Sequence, residues 1–118
     1  MDDLKDKKQN TEEESNPKTA QEILMTEENL SRVAELLKVL ANENRLMILC
    51  VLLNHSLSVS EIGSQVSHIT QSALSQHLSV LKAHRILKSK KIGQAMIYSI
   101  DDPRIKEILQ VLKNHYCC

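Results

Sequence analysis

Gln71, Ser72, Ser75, Gln76 and Ser79 are small or amide-bearing side chains at helical spacing, and each both donates and accepts hydrogen bonds. Such a set suits the edges of nucleic-acid bases. The Gln amide pairs bidentately with adenine, and Ser is small enough to let a helix backbone approach the groove. Lys82, Arg85, Lys88, Lys90 and Lys91 follow, and no Asp or Glu occurs from Gly63 to Ile100. The chain as a whole is formally neutral, so its positive charge is concentrated in one stretch. That is the footprint of a surface that meets phosphates. A second chemistry resides in Cys50, Cys117 and Cys118. An odd number of cysteines makes no secretory disulfide framework, and in a reducing compartment thiol chemistry is regulatory rather than structural.

The elements that must position these groups follow from caps and periodicity. Thr26 caps a predicted helix over 27–40, with Glu27 and Glu28 at its positive end and Leu30, Val33, Ala34 and Leu37 as its apolar stripe. Asn42 caps a second over 43–53. Its run from Leu46 to Leu53 is apolar on every side, which predicts a central helix, in the core or at a subunit contact. Ser58 and Glu61 have the spacing of a capping box and open a short third helix ending near Val66. Thr70 caps a fourth, running to about His84, with Leu74, Leu78 and Leu81 on its buried side and Lys82 on the polar side with the Ser/Gln set.

Segments 87–92 and 95–100 are rich in β-branched and apolar residues, and Gly93-Gln94 between them suits a two-residue hairpin turn. Asp102 caps the last helix, Pro103 occupies its first position, and Ile105, Ile108, Leu109 and Leu112 form its stripe. The predicted fold is mainly α (α+β), a winged helix-turn-helix in the order α-α-α-α-β-β-α. With 118 residues, the chain divides into a charged tail over 1–24, predicted to be disordered, and one DNA-binding and dimerisation domain over 25–118. The domain has neither Trp nor Phe, and small cores of this kind are often completed by oligomerisation.

No apolar run is long enough to span a bilayer, and the N-terminus lacks a signal peptide's hydrophobic region, so the expected location is cytoplasmic. A Gly-rich phosphate loop, a zinc-hydrolase helix motif and a Ser/His/Asp set are all missing from the sequence. The residues imply a binding protein, not an enzyme, and no cofactor.

Leu40-Ala41-Asn42-Glu43-Asn44-Arg45-Leu46-Met47-Ile48-Leu49, then Leu57-Ser58-Val59-Ser60-Glu61-Ile62, then Gln71-Ser72-Ala73-Leu74-Ser75-Gln76-His77-Leu78 with Leu81-Lys82, resembles the ArsR/SmtB family of bacterial repressors over about residues 28–118. The resemblance implies a homodimer joined mostly by its first and last helices. Two recognition helices would enter successive major grooves of a pseudo-palindromic operator, and an effector would lower DNA affinity.

Family members differ in effector. The arsenic- and cadmium-type site needs a Cys-x-Cys pair where this chain has Ser58-Val59-Ser60, and hydroxyls are poor ligands for soft metals. The zinc-type site on the last helix is matched by Asp102 and His115, with Cys118 in place of a His, but Arg104 stands where another His belongs. Cys50 and Cys117 match the persulfide-responsive branch, the SqrR, BigR and HlyU type. There two thiols on the second and last helices are joined by a disulfide or polysulfide bridge and repression is lifted. The resemblance therefore implies reactive sulfur species as effector and Cys50 and Cys117 as sensing residues, with Cys118 a competing partner. Two other readings remain: a metal-responsive repressor using Asp102, His115 and Cys118, and a winged-helix module for protein contact without DNA.

Overall fold

The computed structural model describes residues 26–116. The tail predicted at 1–24, together with Cys117 and Cys118, lies outside the described residues. The chain divides after Leu36 into two compact units, and each is taken in turn.

In the first unit the described chain is the greater part of α1 (Glu27–Leu40). The Thr26 hydroxyl accepts from Asn29 N at 3.2 Å and its carbonyl from Leu30 N at 2.9 Å, which starts the helix as the sequence predicts. Arg32 pairs with Glu28 one turn back at 3.2 Å. Leu30, the first residue of the stripe read from the sequence, is exposed.

The second unit opens on the end of α1, where Val39 and Leu40 are buried. Asn42 caps α2 (Glu43–Val51), accepting from Arg45 N at 3.0 Å. The Arg45 guanidinium donates back to the Val39 carbonyl at 2.8 Å, satisfying one of the acceptors that the end of α1 leaves open. α2 stops two residues before the predicted 53. Leu52 N donates to both Ile48 O and Leu49 O, and Leu53 N to Cys50 O, so the last turn tightens. Only one side of α2 is deeply buried, at Ile48 and Leu49, whereas Cys50 is exposed.

β1 (Leu57–Ser58) is a strand that the sequence reading missed, since two residues carry no period. It leads into α3 (Val59–Gln65), where the capping box is complete: Glu61 N donates to Ser58 Oγ at 3.1 Å and Ser58 N to Glu61 Oε1 at 2.8 Å. α4 (Gln71–Ala83) follows a short turn. It ends with Ile86 N donating to Leu81 O and Arg85 N to Lys82 O, the two bonds of a Schellman motif, with Arg85 in the left-handed position at φ 59°.

β2 (Leu87–Ile92) and β3 (Ala95–Ile100) then form the predicted hairpin with the predicted bounds. Ile92 pairs with Ala95 across Gly93-Gln94. Gly93 has φ 62°, and among the described residues Arg85 is the one non-glycine with positive φ, so positive φ falls only on the first turn residue, as in a type II′ turn. β1 pairs antiparallel with the free side of β3, giving the sheet order β1-β3-β2. α5 (Pro103–Tyr116) closes the described chain. Ile48, Ile62, Leu78, Leu81, Ile86 and Ile105 are almost fully buried and form the centre of the core. The result is a winged helix-turn-helix: α3 and α4 are the two helices, β2 and β3 the wing.

Candidate nucleic-acid interface

α4 is positioned by its two ends and its apolar side. Thr70 Oγ1 accepts from Ala73 N at 3.1 Å, and Leu74, Leu78 and Leu81 are buried at successive turns. That anchoring turns Gln71, Ser72, Ser75, Gln76 and Ser79 outward, and all of them are exposed. Lys82 lies one turn beyond Ser79 and is also exposed. The structure therefore brings together on one accessible face every helical residue singled out for base and phosphate contact.

The wing separates its lysines. Side chains alternate along a strand, so Lys91 shares a face with Ser89 and Leu87, while Lys88 and Lys90 project from the other. Leu87 is buried at the base of the wing, and Ser89 Oγ accepts from Lys82 Nζ at 2.5 Å. The face that carries Lys91 is thus the one turned towards α4. Lys88 Nζ stands 3.9 Å from Asp101 Oδ1, one of the first carboxylates after the acid-free stretch. Among the described residues the Lys90 and Lys91 ammoniums have no such partner. A cleft of about 710 Å³ lies between the start of α3, the first turn of α4 and the tip of the wing. Gln71 and Gln94 both line it. The sequence placed Gln94 in the hairpin turn but gave it no binding role, because a turn residue has no periodicity to mark it.

His77 sits on the flank of α4, half-buried. Burial, and secondarily the charge of Arg45, pushes its pKa below the usual histidine value. A neutral imidazole is therefore favoured there.

Cys50 belongs to a different surface. With Leu46 and Leu53, at helical spacing on α2 and the turn that follows, it lines an apolar cavity of about 320 Å³ whose other wall is Leu109, Leu112, Lys113 and Tyr116 of α5. The sequence predicts a central helix here, in the core or at a subunit contact, and Cys50 lies on a side of it that is exposed. The stripe of α5 continues through Leu109 and Leu112 to Tyr116, the residue before Cys117. Lys113 was missed by the sequence reading, although it is the charged residue nearest in sequence to that stripe's end.

Of the residues named for a metal, Asp102 is committed elsewhere. Arg104 donates to it three times: from its backbone N at 2.9 Å, Nε at 3.0 Å and Nη2 at 2.7 Å. The guanidinium hydrogen bonds hold the Asp102 carboxyl below the usual carboxylate range, against the opposing effect of burial. His115 is exposed, and Cys118 lies outside the described residues. Among the described residues no group of three or more His, Cys, Asp or Glu side chains is arranged to hold a metal ion. Nor is any helix among them long and apolar enough to cross a membrane.

Known proteins match this arrangement. The model for bacterial regulatory proteins of the arsR family matches residues 42–89, from the cap of α2 into β2. The transcriptional activator HlyU of Vibrio cholerae is 40% identical over 91 residues, covering 77% of this chain and 83% of that protein. The biofilm growth-associated repressor of Xylella fastidiosa is 31% identical over 91 residues, covering 77% of this chain and 79% of the relative. A solved structure of reduced HlyU from Vibrio cholerae superposes with a TM-score of 0.74 at 39% identity, covering 83% of this chain and 99% of that one. With a polar helix face beside a basic wing and relatives of this closeness, the chain belongs to the arsR family of bacterial regulatory proteins, DNA-binding transcriptional regulators rather than enzymes.

Proposed function

We propose that the chain is a homodimeric transcriptional repressor, bound to a pseudo-palindromic operator and released from it by reactive sulfur species acting on Cys50 and Cys117. The outward set Gln71, Ser72, Ser75, Gln76 and Ser79, on a helix whose opposite side is buried, carries the DNA part of this reading. In this reading α4 lies in the major groove, and Lys82, Lys90 and Lys91 meet phosphates, with Lys88 in a lesser share. Leu30 and Leu37 on α1, and Val111, Leu112 and Tyr116 on α5, remain exposed in one chain and supply apolar surface for a second copy. A module used only for protein contact would give the exclusion of carboxylates no role.

The sensing part is supported by the position of Cys50, exposed beside a cavity that Tyr116 also lines. Its thiolate attacks the sulfane sulfur of an organic persulfide, R–S–SH; an S–S bond forms, R–S⁻ leaves, and Cys50–S–SH results. The Cys117 thiolate then attacks Cys50 Sγ and expels HS⁻, giving the disulfide. If Cys117 has itself been persulfidated, the terminal sulfur of Cys50–S–S⁻ attacks Cys117 Sγ with loss of HS⁻, giving a trisulfide. A direct disulfide needs Cα atoms about 4.4–6.8 Å apart, and the added sulfur relaxes that limit. A bridge of this kind would tie α2 to α5 and bias the spacing of the two reading heads.

The test is intact-mass spectrometry of the reduced protein after treatment with an organic persulfide, with diamide and zinc as controls, alongside DNA binding. A bridge between Cys50 and Cys117 accompanied by DNA release is the expected result. Release that persists unchanged in Cys50→Ser and Cys117→Ser proteins would end the sensing proposal and leave the repressor standing.

A further inference from the structure

A cleft of about 290 Å³ lies where the turn after α2, the end of β3 and the first turn of α5 meet. Its lining includes Asn54, His55, Ser56, Ser99 and Lys106, and each of these side chains offers at least one hydrogen-bond donor. Among the described residues, no hydrogen bond or ion pair engages any of the five. Leu52, Leu53 and Ile100, all buried, complete the lining. The donors are thus gathered against aliphatic residues, where a hydrogen bond to a charged group is stronger than in open water. Among the described residues no carboxylate lines the cleft. The acidic residues nearest to it in sequence are engaged elsewhere: Asp101 has Lys88 at 3.9 Å, Asp102 accepts three bonds from Arg104, and Glu107 lines a different cleft with Val111 and Leu112.

We propose that this cleft binds a phosphate group, as the free ion or as a small phosphomonoester, and that its occupant joins the end of α2 to β3 and α5. The site depends on neither the DNA contact nor the sulfur chemistry proposed for the chain. Lys106 supplies the positive charge, as a point cation on a flexible stem. Asn54, His55, Ser56 and Ser99 supply directed donors from two other segments of the chain. A carboxylate's two oxygens offer about four acceptor positions, fewer than the donor groups gathered here, whereas a phosphate's three terminal oxygens offer more. The volume stands at the lower end of ligand pockets, roughly 300 Å³ and upward, which leaves room for the carbon portion of a small ester.

The test is backbone amide NMR of the full chain, titrated with inorganic phosphate and separately with glycerol 3-phosphate, against sodium chloride at matched ionic strength. Saturable shifts are expected at Asn54, His55, Ser56 and Ser99 with the phosphates and not with chloride. Tighter binding of the ester would identify an organic phosphate as the occupant, and tighter binding of inorganic phosphate the free ion. Lys106→Ala should weaken the affinity about tenfold, and Lys106→Arg, which keeps the cation, should retain most of it. Lys106 is exposed, so neither change touches the core. Against a duplex enriched from a random pool by the unaltered protein, Lys106→Ala should show unchanged affinity and salt slope. Shifts that never saturate, that appear equally with chloride, or that persist at full affinity in Lys106→Ala would overturn the inference. So would a Lys106→Ala protein whose DNA salt slope falls by about 1, because the cleft would then be a contact for the duplex backbone.

Discussion

Lys82 Nζ donates to Ser89 Oγ at 2.5 Å, so the last turn of α4 is joined directly to β2 of the wing. In the proposed reading the helix meets base edges and the hairpin meets phosphates, so the two must keep their spacing, and this bond spans them. It uses one of the three donors of the Lys82 ammonium, and further phosphate contact falls to residues along the wing.

Lys91 should accordingly matter more than Lys88. Lys91→Ala is expected to weaken binding to every sequence and to reduce the slope of log affinity against log salt by about 1. Lys88→Ala should change the slope less, because that ammonium lies 3.9 Å from Asp101 and on the other strand face. Anisotropy titrations at several salt concentrations compare the two.

Gln71 opens α4 and lines the cleft that Gln94 also reaches. Gln71→Ala is expected to relax sequence preference, by about 1–3 kcal/mol at the base it reads, with the salt slope unchanged. Competition between the enriched duplex and single-base variants measures this. A uniform loss over all variants would mark Gln71 as a phosphate contact instead.

The two sides of α4 should separate stability from binding. Leu78 is 2% exposed, and Leu78→Ala is expected to cost about 2–5 kcal/mol in urea unfolding through the cavity it leaves. Ser79→Ala, on the outward side of the same helix, should leave the unfolding midpoint almost unchanged.

The Asp102 pair gives a pH dependence of known sign. Its folded carboxyl titrates below the unfolded value near ~3.9. Its contribution is therefore complete above the unfolded pKa and is lost as pH falls through the folded one. Urea midpoints measured from neutral pH downward should fall less steeply below about pH 4 in Asp102→Asn than in the unaltered protein. Parallel curves would mean that the Arg104 bonds contribute nothing to folding.

Much of this was legible in the sequence, for local reasons. Caps at Asn42, Ser58 and Thr70, and the Gly93-Gln94 turn, set element starts and strand register through hydrogen bonds a few residues long. The exposed and buried sides of α4 followed from its period. β1 was not legible, because its pairing depends on β3 some forty residues later, read from Leu57↔Tyr98. Nor was the exposure of Cys50, since a helix apolar all round does not reveal which side faces the core. The inequality of Lys88 and Lys91 required the register that places Asp101 near one and Ser89 on the face of the other.

The central claim is that the outward face of α4 lies against DNA, and Ser75→Glu tests it most directly. Ser75 is exposed, so the variant should keep the circular dichroism and urea midpoint of the parent while placing a carboxylate in the middle of that face. Anisotropy with the enriched duplex should then show binding lost at every salt concentration where the parent binds. A folded Ser75→Glu protein that binds as tightly as its parent would contradict the account.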